Sequence, residues 1–157
     1  MHTNSFAGRT RWQRVSGSKR AALLGLLLAL SGCATVNPGK RFGDIQLDSL
    51  KSSYVVRHAK STRDIDLFIQ ESLVERGVVA TAGPIENKPS DVDFYVEYVD
   101  RWSWDVSMFL SALTIQFKST ADGSLIATGS FEQGALHSFP DPKRTVRAVI
   151  EQMYAAK

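Results

Sequence analysis

One cysteine, two histidines beyond residue 32, two closely spaced aspartates and a tryptophan-rich octapeptide are the groups here whose types and spacing could do chemistry. Cys33 is the only cysteine, so no intrachain disulfide can form and the thiol is left for another use. His58 and His137 could each act as a general base, but nucleophilic catalysis needs a hydroxyl or thiol held beside that base. No G-x-S-x-G elbow surrounds any serine, and surface or strand-end positions account for both rings. Asp91-x-Asp93 has the spacing that opens a calcium loop, yet the glycine and the distal glutamate are missing. Alternation puts both aspartates on one side of a strand, where a solvated face is the default. No glycine-rich phosphate loop follows a strand. The chain is therefore expected to hold no catalytic residues, no metal site and no cofactor.

The octapeptide is Tyr98-Val99-Asp100-Arg101-Trp102-Ser103-Trp104-Asp105. At a hairpin tip, Trp102, Trp104 and Arg101 would have the composition of a partner-binding hot spot. In longer strands both indoles share a sheet face and cover the core instead, which is the commoner use of tryptophan.

Cys33 sits at the end of a recognisable leader. A basic, polar stretch runs to Arg20, followed by ten residues, Ala21–Leu30, without charge, then Ser31 and Gly32. Basic region, short apolar region and small-residue cleavage zone are the parts of a secretory signal peptide. The apolar run falls short of the roughly 20 residues that cross a bilayer. Leu30-Ser31-Gly32-Cys33 resembles the lipobox of bacterial lipoproteins at all four positions. The resemblance implies diacylglyceryl transfer to the Cys33 thiol, cleavage before Cys33 and acylation of the new amino terminus. Ordinary cleavage after Ala34 is the alternative. A lone exported thiol is a liability in an oxidising compartment, and acylation gives it a use. Ala34, where an inner-membrane retention signal would have Asp, implies by the same resemblance an outer-membrane address facing the periplasm.

Charge agrees with removal of the leader. The whole chain has 19 Lys+Arg against 16 Asp+Glu, but five of the basic residues and none of the acids precede Cys33. From Cys33 onward 14 basic residues face 16 acids, a net of −2. A nucleic-acid binder concentrates positive charge in its folded domain, so nucleic acid is not an expected partner.

The expected organisation is a signal peptide over 1–32, a lipidated terminus and flexible tether over 33–50, and one domain over 51–157. A strand is expected at about 53–58, then a helix capped by Ser61 or Thr62, with Ile65, Phe68, Ile69 and Leu73 as its apolar stripe and Gly77 as its stop. Val78–Ala80 reads as a brief strand before a loop over 83–90. Strands over 91–100, 106–118 and 125–131, with an Asp122-Gly123 turn, read as three successive antiparallel strands. Asp141-Pro142 opens a second helix with Val146, Val149, Ile150 and Met153 on one side. The fold class expected is α+β: a two-layer sandwich of a mainly antiparallel sheet of about four strands with two helices on one face. The order of elements over Tyr54–Tyr154, with Leu125-Ile126-Ala127-Thr128-Gly129 after the turn, resembles small envelope lipoprotein families of unknown function. The expected role is a non-enzymatic binding or accessory module of the envelope, held to the membrane through Cys33, with another envelope protein as a candidate partner. A carrier of a small or lipidic ligand and a hydrolase are the alternatives.

Overall fold

A computed structural model describes residues 35–59, 63–134 and 139–156. Cys33, His137, the leader and the helix-capping residues Ser61 and Thr62 lie outside them. In chain order the elements are β1 (Thr35–Val36), β2 (Lys40–Arg41), a 3-10 turn (Leu47–Ser49), β3 (Ser52–Arg57) and α1 (Ile65–Glu75). There follow β4 (Val79–Pro84), a second 3-10 turn (Ile85–Asn87), β5 (Phe94–Trp104), β6 (Met108–Ser119), β7 (Leu125–Glu132) and α2 (Pro142–Ala155). The class is α+β, as expected, but the sheet has seven strands rather than about four. They run β1-β7-β6-β5-β3-β4, with β2 also on β7.

Two features enlarge the sheet. The β5-β6-β7 meander is antiparallel throughout, whereas β3 pairs in parallel with both β4 and β5. Strand β3 has Val55 on the helix side and Tyr54 and Val56 on the other, all buried, as a strand covered on both faces requires. A parallel partner needs a crossover, and α1 supplies it between β3 and β4. Strand β4 runs on to Pro84, into the expected loop. It lies at the sheet edge, where a proline is tolerated, and Tyr54 donates its hydroxyl to the Pro84 carbonyl at 2.8 Å.

The second feature corrects the expected tether. Residues 35–50 are part of the fold: β1 and β2 both pair with β7, and Leu47 in the 3-10 turn is buried in the main core. Arg41 donates from Nε to the Met153 carbonyl at 3.3 Å and from its terminal nitrogen to the Tyr154 carbonyl. It thereby serves the carbonyls that the last turn of α2 leaves without helical partners. Gly39 lies against the same turn, where a Cβ would come within 2.4 Å of the Gln152 carbonyl oxygen. These contacts use backbone and one guanidinium, so they leave no apolar period in the sequence.

Both helices bury their stripes in one cluster with the same sheet face. Ile65, Ile69 and Leu73 of α1 and Val146, Val149, Ile150 and Met153 of α2 meet Val55, Phe94, Val96, Tyr98, Leu113, Ile115 and Phe117. Helix α1 starts with Asp64 at its N-cap, without a side-chain cap bond, and ends before Gly77, whose φ of 82° is the left-handed stop the sequence implies. Helix α2 starts as expected: the Asp141 carboxylate accepts from the Arg144 amide at 2.8 Å, with Pro142 in the first turn. Lys143–Glu71 and Arg147–Glu75 ion pairs join the helices at the surface, where such pairs contribute little. The opposite sheet face has a small cluster of Tyr54, Val56 and Tyr95 at one end. Elsewhere it is mixed, with a Lys118–Glu97 pair across β5 and β6, exposed Val99, and Phe109 toward the turn.

Candidate functional site

The sequence candidates do not converge. His58 follows the end of β3, exposed, with its ring edge-on to Tyr98 at 5.1 Å and its Nε2–H donated to the Tyr98 carbonyl. The shallow depression around it is lined by Ala59, Val99 and Asp100, none of which offers a hydroxyl or thiol. A ring nitrogen engaged by a backbone carbonyl is a positioned edge residue. No described group of His, Cys, Asp and Glu is arranged to hold a metal ion.

Asp91 and Asp93 are not on a strand, which corrects the expected alternation: β5 begins at Phe94. Asp93 instead accepts from the amides of Lys51 and Ser52 at 2.7 and 2.9 Å and fastens the start of β3 to the start of β5. Those two backbone donors, with the Ser52 hydroxyl, hold the Asp93 carboxyl below the usual carboxylate range despite some opposing burial. A lowered folded-state pKa means that this carboxylate stabilises the fold above its unfolded value. The contribution is lost as pH falls through the folded value. The acid limb of unfolding, followed by circular dichroism, is therefore expected to be shallower in Asp93→Asn. That variant should also lose about 1 kcal/mol at neutral pH.

The octapeptide divides. β5 takes in all of it but Asp105, with Trp102 opposite Leu110 and Trp104 opposite Met108, so Asp105-Val106-Ser107 is the turn. A register shift between Arg101 and Trp102 bulges the ladder where the hairpin leaves the body of the sheet. Trp102 is half-buried, packed on the main core, with its indole N–H donated to Asp100 at 2.5 Å and Arg63 stacked over the ring at 4.7 Å. Trp104 shares its sheet face by alternation but lies beyond the helices and is 72% exposed. Val106, expected at the start of a strand, is at the apex and 85% exposed, and Met108 is 39% exposed. On the opposite face of the hairpin, exposed Phe139 stacks edge-on against Phe109 at 5.6 Å. Arg101 is exposed at the base.

The tip is thus an apolar projection with a cationic base. Sequence reasoning named Trp104 and Arg101 but missed Val106, Met108 and Phe139. The available signal was the run Trp102, Trp104, Val106, Met108 at every second position, apolar beyond any element able to cover it. Trp102→Ala is expected to cost about 2 kcal/mol through lost packing. Trp104→Ala should stay within about 0.5 kcal/mol, and urea unfolding of the two variants checks the contrast.

No protein family matches the chain, and no curated protein matches it in sequence. Among solved structures, the chain is similar in fold to the PelC dodecamer from Paraburkholderia phytofirmans, with a TM-score of 0.55 at 10% identity. The match covers 79% of this chain and 99% of that one. A point variant of the same PelC gives a TM-score of 0.54 at 11% identity, over 76% and 98% of the two chains. At such identities the likeness is one of fold. Among the described residues no helix is long and apolar enough to cross a membrane.

Proposed function

We propose that the chain is a lipid-anchored envelope lipoprotein whose folded domain is a non-enzymatic binding or accessory module, acting in envelope assembly or maintenance. The single observation that carries this reading is Leu30-Ser31-Gly32-Cys33 at the end of a basic and then apolar leader. Two or more acyl chains, at about 0.8 kcal/mol per buried methylene, hold a protein stably at a membrane. Outer-membrane placement facing the periplasm follows from Ala34 after the cysteine.

The domain's chemistry supports a binding role over catalysis. The depression at His58 brings no serine, threonine or cysteine to the ring among the described residues, and the exposed tip of the β5–β6 hairpin is the surface best composed for contact. A carrier would need space between helices and sheet, where Ile69, Leu113, Ile115, Val149 and Met153 interlock instead with no exposure. The PelC structure of similar fold is a dodecamer, which favours self-assembly as the second reading of the module.

Labelling exporting cells with palmitate tests the anchor. The wild-type chain should incorporate label and Cys33→Ala should not. Equal labelling of both, or of neither, overturns the reading.

A further inference from the structure

The amino-terminal end of β1 and the apolar hairpin tip belong to the same end of the sheet. One register row runs across the sheet from Thr35 in β1 to Glu132 in β7, Ala112 in β6 and Arg101 in β5. Strand β1 is antiparallel to β7, β7 to β6 and β6 to β5, so the Thr35 end of β1 lies toward the side of the sheet to which β5 heads as it leaves Arg101 for the turn. Cys33 is two residues before Thr35, so its Cα lies within about 7.6 Å of the Thr35 Cα. On β5 the hairpin continues three residues past the row to Trp104, about 10 Å at strand rise. Laterally the two features are three strand spacings apart, about 14 Å. With β1 paired into the sheet at Thr35, the one residue Ala34 is all the slack between acyl chains on Cys33 and the folded domain. A tether so short keeps the Thr35 end of the sheet close to the bilayer.

We propose that the tip of the β5–β6 hairpin is a membrane contact: Trp104, Val106 and Met108 enter the interface of the bilayer that takes the lipid on Cys33. Trp104 occupies the headgroup level that tryptophan favours, with Val106 at the acyl boundary. Arg101, at the base of the hairpin, faces lipid phosphates. Phe139, on the other face of the hairpin, adds to the apolar tip, while the carboxylate of Asp105 stays among the headgroups. The covalent lipid makes this contact intramolecular in effect, so a small apolar area suffices to orient the domain. The arrangement leaves the mixed sheet face and the helices free for other partners. The proposal rests on the lipid anchor of the proposed function.

Cleavage before Cys33 removes Trp12, so Trp102 and Trp104 are the only tryptophans of the mature chain. Their fluorescence therefore reports on this hairpin without a label. The full-length lipidated protein, purified from membranes, is placed in vesicles of phosphatidylcholine and phosphatidylglycerol with plain or dibrominated acyl chains. Trp104→Phe gives the signal of Trp102 alone, and Trp102→Phe that of Trp104 alone. Palmitate incorporation is measured on the same samples. Brominated lipid should lower Trp104 emission about twofold, as for an indole at headgroup level, and affect Trp102 less. Labelled protein whose Trp104 is quenched by aqueous acrylamide and not by bromolipid overturns the membrane contact and leaves the anchor standing. Trp104 shielded from both quenchers points to a second copy or another protein at the tip, and also overturns it. Unlabelled protein overturns the anchor and the proposal together.

Discussion

In a chain whose leader is exchanged for one cleaved without lipid, Cys33→Ala is expected to shift the protein from the membrane fraction to the soluble periplasmic fraction, while its domain stays folded. The reason is quantitative. Two or more acyl chains contribute about 0.8 kcal/mol per buried methylene, far more than an apolar hairpin tip of a few side chains can supply alone. No helix among the described residues offers a second anchor of comparable strength. Cell fractionation with immunodetection reads the result. The circular dichroism of the released variant should match that of wild type, since the substitution lies upstream of β1 and outside the core. A variant that stayed wholly with the membrane would show that something other than the proposed lipid holds the chain.

The largest effect on folding is expected at Phe117. Its ring is fully buried, 4.8 Å from Phe94 and 6.2 Å from Tyr154 between centroids, where the sheet meets the end of α2. Phe117→Ala removes an aromatic ring from close-packed surroundings that relax only partly, at a cost of about 4 kcal/mol. That is a large share of the 5–15 kcal/mol that typically separates folded from unfolded states, so the urea midpoint should fall steeply. The cavity would also loosen Tyr154, over which Arg76 stacks at 3.9 Å. A loss below about 1 kcal/mol would mean that the α2–sheet interface is far more plastic than its packing implies.

Much of this architecture is legible in the sequence. The stripes Ile65-Ile69-Leu73 and Val146-Val149-Ile150-Met153 are buried as their spacing demands, because an amphipathic helix has few other places to put them. The three-strand meander and the Asp141 cap follow from equally local rules. The parallel pairing of β3 was hidden, since a short apolar strand does not say which way its neighbour runs. The folding of residues 35–50 was hidden for another reason. Arg41 on the α2 carbonyls and Gly39 against the last helical turn are contacts made by polar groups and backbone, which carry no periodicity.

The candidate site was half legible. Trp102 and Trp104 stood out by type, but their separate fates depend on where α1 and α2 stop covering the sheet, a tertiary fact. Asp91 and Asp93 misled because their alternation continues that of β5 across its true start. Cys33 was legible because targeting signals are read as linear sequence, before folding.

The central claim is that Cys33 becomes the acylated amino terminus of the mature protein. Intact-mass analysis of the protein purified from membranes tests it most directly. The account predicts a chain beginning at Cys33, heavier than its amino-acid sequence by a diacylglyceryl group and usually one more acyl chain. A chain beginning at Thr35 with an unmodified amino terminus, or one retaining the leader, would contradict it.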